Sequence, residues 1–182
     1  MKKNYFFTLL LTLTVSLFSF GQSAIITGYL DSTCSSQAGR TLEIYVDGTI
    51  DFTGWACVNC REVEEKIWPD KEVFKLIEEN YILASLYVDE DIELPADQQG
   101  EVDITYDNGN VKKKKIRTTG DKWFTFETLV FKNNAQPRYI LVSPEGVLLN
   151  NPISYSDIKK GGGAKFYADF LRCGIDAYNK IK

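Results

Sequence analysis

Asp51-Phe52-Thr53-Gly54-Trp55-Ala56-Cys57-Val58-Asn59-Cys60-Arg61-Glu62-Val63-Glu64 is the stretch whose reading decides the fold. An apolar run of β character ends in a short glycine-containing turn, and two cysteines three apart follow where an amphipathic helix begins. That is the geometry of a redox dithiol. Cys57 lies at the expected helix N-terminus, where unpaired backbone N–H groups and the helix dipole stabilise a thiolate, and Cys60 sits one turn further in and better shielded. Asp51, six positions before Cys57, and Glu64, seven after it, are each placed to accept or relay a proton.

Downstream, Val63 and Ile67 share one helix face, and Pro69 ends or kinks that helix. Asp70 is a cap for a second helix with an apolar stripe of Val73, Phe74, Leu76 and Ile77. Tyr81 to Val88 is a near-continuous apolar run, the pattern of a strand buried on both faces beside parallel neighbours, which completes a βαβ unit. Residues 89–120 are polar, with an Asn108-Gly109 turn between Val102–Tyr106 and Val111–Thr118 that signals a β-hairpin. The run Lys112–Lys115 reads as a solvated, lysine-protected strand edge, with a docking patch for an acidic partner as the alternative.

Trp123 to Phe131 reads as a short aromatic helix supplying core residues. Gln136-Pro137 opens a strand over Arg138–Val142, and Pro144-Glu145-Gly146 turns the chain back through Val147-Leu148-Leu149. A last helix over about Ala164 to Ile181 buries Phe166, Tyr167, Phe170, Leu171 and Ile175. Before the dithiol the pattern is sparse. Ala24–Leu30 and Thr41–Val46 read as short strands, and Asp47-Gly48 is a turn feeding the active-site strand.

The chain begins with Met1-Lys2-Lys3 and an uncharged apolar run from Tyr5 to Phe20, followed by small residues at Ser19-Phe20-Gly21. This is the pattern of a secretory signal peptide over residues 1–21. The run is short against the roughly 20 residues that span a bilayer, so a retained anchor is the lesser reading and no membrane insertion is expected after cleavage. Cleavage leaves 161 residues with 19 basic and 25 acidic side chains, net charge −6, which argues against nucleic acid as a partner. The chain contains no His, which excludes Ser-His-Asp and Cys-His catalysis and any His-ligated metal. No metal site and no cofactor are expected.

These residues resemble the thioredoxin superfamily, and most closely the C-terminal thioredoxin-like domain of the DsbD family of thiol:disulfide interchange proteins. The resemblance is carried by Asp51, Cys57-Val58-Asn59-Cys60 and Glu64, and continues through Trp68-Pro69-Asp70, Tyr87-Val88-Asp89 and Gln136-Pro137-Arg138-Tyr139. It runs from roughly Thr49 to Tyr178, about seven-tenths of the chain. It implies an α/β thioredoxin-like fold over residues 49–182, a central mixed sheet flanked by helices, with the hairpin insertion at about 90–120. Residues 22–48 show no helical period and imply an abbreviated N-terminal layer. The resemblance also makes Pro137 a cis-proline facing the dithiol, with Trp55, Gln136 and Pro137 as substrate-binding candidates beside the catalytic candidates Cys57, Cys60, Asp51 and Glu64.

The function so implied is a periplasmic thiol-disulfide oxidoreductase that reduces protein disulfides. Its reductant would come from another protein, a membrane-embedded donor being one form. A disulfide oxidase or isomerase, and a binding module in which the dithiol is a structural disulfide, stay open as alternatives. Cys173, near the apolar face of the last helix, reads as a small hydrophobe. Cys34 lies in a polar loop, and spacing alone leaves a Cys34–Cys173 bridge open.

Overall fold

The computed structural model describes residues 25–30 and 41–45 as backbone strands, and residues 48–105 and 109–182 in full. In chain order the elements are β1 (Ile25–Leu30), β2 (Thr41–Tyr45), β3 (Gly48–Thr53), α1 (Val58–Lys66), α2 (Lys71–Asn80), β4 (Ile82–Tyr87), β5 (Gly100–Thr105), β6 (Val111–Ile116), α3 (Thr119–Phe131), β7 (Arg138–Val142), β8 (Ile153–Ser154), α4 (Tyr155–Gly161) and α5 (Ala164–Ile181). The expected signal peptide and Cys34 lie outside the described residues.

A four-stranded sheet of order β4-β3-β7-β8 carries the fold. β3 is parallel to β4 and antiparallel to β7, with Asp51 opposite Ser85 on one side and Tyr139 on the other. All six residues of β3 are buried. Side chains alternate along a strand, so β3 divides the core into two layers. Ile50 and Phe52 pack with Leu86, Trp123, Ile140 and Val142 on the α3 side. Tyr139 and Leu141, which face Asp51 and Thr49 across the ladder, pack with Val63, Val73, Tyr167, Phe170 and Leu171. Asp51 therefore lies in the layer of α1, behind the dithiol. Burying Phe52 completely contributes about 1.5–3 kcal/mol, so the strand that aims the site is also a strong anchor.

Local sequence explains the elements around it. The Asp70 carboxylate accepts from the backbone N–H groups of Glu72 at 3.0 Å and Val73 at 3.3 Å, which starts α2 directly after the Pro69 break. Thr118 and Asp121 form a capping box at the start of α3, and Ser154 and Asp157 another at the start of α4.

Three expectations change. Among the described residues β4 is an edge strand, with Leu86 its buried position, so it is half-buried where its apolar run suggested full burial. Val147-Leu148-Leu149 forms one bridge, Val142 to Leu148, while the strand that pairs with β7 is Ile153–Ser154, followed by a helix, α4, that the glycine run 161–163 obscured. Cys173 is exposed, not part of the apolar face of α5, because Ala168, Leu171 and Gly174 are the positions that face the sheet there.

The hairpin β5–β6 pairs Ile104 with Lys112 and Val102 with Lys114, so alternate lysines point towards the body of the protein. The Lys114 ammonium pairs with Asp121 and lies 5.3 Å from the Phe124 ring centroid, and Lys115 pairs with Glu101 at 3.8 Å. The run is thus partly neutralised and partly packed, which a wholly solvated edge is not. The hairpin is tied down by Leu94 N–H to Arg117 O and Thr119 N–H to Ile92 O, each 2.8 Å, and by Gly120 N–H to Glu90 O at 2.9 Å. At Gly120 a Cβ would lie 2.5 Å from Glu90 N and 2.8 Å from Val88 O, both backbone atoms that cannot rotate away. Gly120→Ala is expected to lose about 1–3 kcal/mol from overpacking, more than the helix propensity it gains. A lowered urea midpoint with an unchanged slope checks this; an unchanged midpoint shows that the 88–90 segment yields.

Candidate active site

β3 runs out at Thr53, and the chain turns through Gly54-Trp55-Ala56 with Cys57 N–H donating to Gly54 O at 3.2 Å. The Asp89 carboxylate, just past β4, holds this turn by accepting from Trp55 N–H at 2.9 Å and Ala56 N–H at 3.3 Å. Gly54 leaves room for it, since a Cβ there would lie 3.0 Å from Asp89 Oδ2. The Trp55 indole stacks on Tyr87 with centroids 4.3 Å apart and donates through Nε1 to Glu90 Oε2 at 3.2 Å.

Cys57 is the N-cap of α1, in extended backbone, and its Sγ accepts from Cys60 N–H at 3.2 Å. The two cysteines form a disulfide. Cys57 is partly exposed and Cys60 is 1% exposed, so the outer sulfur is the one a partner can reach. No acid occupies the first turn of α1 to oppose a thiolate at its N-terminus. Trp55, 62% exposed, and Val58, 78% exposed, border the disulfide with apolar surface.

Behind it, Asp51 is 1% exposed. Its Oδ2 accepts from Ser85 Oγ at 3.2 Å, and its Oδ1 is buried without a hydrogen-bond partner. Burial pushes its pKa up to about 7, with the Ser85 bond pulling the other way and the nearby Glu64 charge adding to the rise. Glu64 is half-buried on α1 and its pKa is also raised by burial, against the pull of Arg61. Arg61 pairs with Glu64 at 2.6 Å and donates to Thr53 Oγ1 at 3.2 Å. Its guanidinium is thereby committed on the strand side of α1.

The Gln136–Pro137 peptide bond is cis. Because Arg138 pairs with Phe52 in the β3–β7 ladder, Gln136 and Pro137 continue past the end of β3, beside Thr53 and the turn that leads to Cys57. Cys57, Cys60, Trp55, Gln136 and Pro137 thus gather at one end of the sheet, with Asp51 and Glu64 beneath them on the α1 side.

Sequence reading did not single out Ser85 or Tyr87 as site residues, gave Asp89 no role, and missed Glu127. Ser85, Tyr87 and Asp89 alternate along β4 and its extension, so a polar period of two at the end of an apolar run was the available signal. Glu127 lies one helical turn after the core residue Trp123, and a lone acid on a buried face was the corresponding sign. It is 0% exposed and accepts at Oε2 from Gln136 Nε2 at 2.6 Å; burial pushes its pKa up to about 7 against that bond and the Arg138 charge.

Among the described residues no group of three or more His, Cys, Asp or Glu side chains could hold a metal ion, and no helix is long and apolar enough to cross a membrane. The arrangement can carry thiol–disulfide exchange: an accessible sulfur at a helix N-terminus, a shielded partner sulfur, and a buried carboxyl group in the layer behind them.

No family model matches the chain, and no curated protein matches it. Among solved structures it is similar to a protein described as DsbH oxidoreductase, at 15% identity over 69% of each chain with a TM-score of 0.44. It is also similar to a thioredoxin-fold protein from Helicobacter pylori, at 14% identity over 75% of this chain and 87% of that one, TM-score 0.36. A mixed sheet with helices on both faces, a Cys-x-x-Cys at the helix N-terminus after β3 and a cis-proline before β7 give the chain a thioredoxin-like fold.

Proposed function

We propose that the protein is an exported thiol-disulfide oxidoreductase that reduces disulfides of other proteins. In the reduced form the Cys57 thiolate attacks a partner disulfide, forming a Cys57–partner mixed disulfide and releasing one partner thiolate. Cys60 then gives up its proton to Asp51 and attacks Cys57 Sγ. The second partner thiolate leaves, and Cys57–Cys60 is oxidised. Two electrons pass to the partner; the leaving thiolates take up protons, one of them through Asp51. A dithiol reductant, such as a membrane-embedded donor protein, returns two electrons to Cys57–Cys60. Export to the periplasm is supported by the signal-peptide pattern of residues 1–21.

The observation that favours reduction over oxidation is the commitment of Arg61 to Glu64 at 2.6 Å. Val58 and Asn59 are uncharged, and Asp89 and Glu90 bring negative charge to the preceding turn. The Cys57 thiolate is left with the helix N-terminus as its main support, so the reduced form is not stabilised as it is in strong oxidants. The resemblance of Asp51, Cys57-Val58-Asn59-Cys60 and Glu64 to DsbD supports the same direction.

Equilibration of the protein lacking residues 1–21 against a dithiothreitol series tests it. The expected potential lies nearer about −270 mV than about −120 mV. A value near the latter makes the protein an oxidase, and a disulfide that never exchanges makes it a structural bridge.

A further inference from the structure

Glu127 is a buried acid that the exchange steps do not use. It sits on α3, the helix on the sheet face opposite to Asp51, and is fully buried. Its Oε2 accepts the Gln136 side-chain N–H at 2.6 Å, while its Oε1 is buried with no hydrogen-bond partner. The Arg138 guanidinium, on the other side of Pro137, acts on the same carboxylate only electrostatically, so the bond to Gln136 is what ties Glu127 to this segment. Gln136 donates this bond and a carboxyl oxygen accepts it whether or not Glu127 is ionised, and in a buried site its loss would leave polar groups unpaired.

The connection it spans explains why a staple is needed. α3 ends at Phe131, and the backbone reverses through Lys132 in the left-handed region at φ 51°. Asn133 accepts from Ala135 N–H at 2.8 Å, so the loop is ordered locally up to the position before Gln136. From there the chain must meet the end of β3 in register, with Arg138 opposite Phe52. The Glu127–Gln136 bond fixes the loop to α3 at the point where it borders the dithiol turn.

We propose that Glu127 is a positioning residue for substrate capture: by holding Gln136 it fixes the segment 135–137 against which an extended peptide flanking the target disulfide lies. This rests on the oxidoreductase reading and assigns the affinity for peptide, as distinct from the chemistry at sulfur, to a residue on the far side of the sheet. Backbone pairing along an extended peptide needs a rigid edge, whereas a small aromatic disulfide touches only the sulfurs and their immediate surface.

The test compares insulin with 5,5′-dithiobis(2-nitrobenzoic acid) as substrates of the dithiothreitol-reduced protein. Glu127→Ala is expected to raise KM for insulin about tenfold, the effect of losing one buried hydrogen bond, with kcat within about twofold. Its rate with the small disulfide should stay within about twofold. Glu127→Gln, whose carbonyl can accept the same Gln136 N–H, should recover most of the insulin KM. Gln136→Ala should raise that KM comparably, and adding Glu127→Ala to it should cause little further change.

Equal losses on both substrates, an additive double variant, or an unchanged insulin KM would each overturn the assignment. Should Glu127→Ala fold poorly, Glu127→Gln and Gln136→Ala still decide it, because a structural role predicts loss with both substrates. A wild-type protein that reduces neither disulfide sinks the oxidoreductase reading itself, an outcome distinct from a wild type that is active while the variants show no substrate selectivity.

Discussion

Cys57→Ala is expected to abolish reduction of protein disulfides, by on the order of a thousandfold or more, whereas Cys60→Ala should accumulate mixed disulfides with its substrates. The asymmetry follows from placement. Cys57 caps α1 and is partly exposed, so it can reach a disulfide in another protein. Cys60 is 1% exposed and can reach only Cys57. Removing the outer sulfur removes attack; removing the inner one removes resolution and leaves the adduct in place.

In the reduced protein, limiting iodoacetamide should modify Cys57 well before Cys60. Cys173 is exposed and makes no disulfide among the described residues, so in the reduced protein it too will react, and peptide mapping must separate the sites. Equal labelling of Cys57 and Cys60, or adducts trapped by Cys57→Ala and not by Cys60→Ala, would reverse the roles. Absence of adducts from both variants would remove the exchange mechanism.

The dithiol was legible because everything that defines it is local. A β run, a glycine turn and a helix start lie within fourteen residues, and Asp70 announces the next helix by its own cap. The burial of Asp51 was legible for a related reason, since it stands in the β run six positions before Cys57; its layer, under α1, follows only from the pairing of β3 with β7. What escaped depends on pairings far apart in sequence. β4 reads as a central strand from its apolar run, but its burial is decided by having β3 as its neighbour in the described sheet. Asp89 acquires a role only when β3 and β4 lie side by side and bring it to Trp55 and Ala56, 34 and 33 residues earlier. Glu127 was missed because its partner, Gln136, is delivered to it only by the pairing of β7 with β3.

Asp51→Asn is expected to do two opposite things, stabilise the fold above neutral pH and slow the second half of exchange. Burial raises the carboxyl from 3.8 to about 7, so between those values the folded protein holds a proton that the unfolded chain has released. Stability therefore falls as pH rises through that window, and the cost is complete above about pH 7. A shift of this size corresponds to roughly 4 kcal/mol, a large share of the 5–15 kcal/mol that holds a typical domain together. Asn carries no charge and can still accept from Ser85 Oγ. The variant should thus be more stable than wild type at pH 8 and indistinguishable from it near pH 3.5, as read from urea midpoints at the two values.

The kinetic effect has the other sign. Cys60 must lose a proton as it attacks Cys57, and a carboxylate titrating at about 7 in the same layer is matched to accept it near neutrality. The wild-type rate of resolution should therefore rise with pH through the region in which Asp51 loses its proton. Asn cannot take the proton, and resolution at pH 7 should slow by about a hundredfold. The difference should close at high pH, where solvent hydroxide ionises Cys60 directly. Stopped-flow reduction of a peptide disulfide across pH, for wild type and Asp51→Asn, reads both limbs. Superimposable profiles would take Asp51 out of proton transfer; a stability gain without slowing would leave it a buried acid that destabilises the fold without serving the exchange.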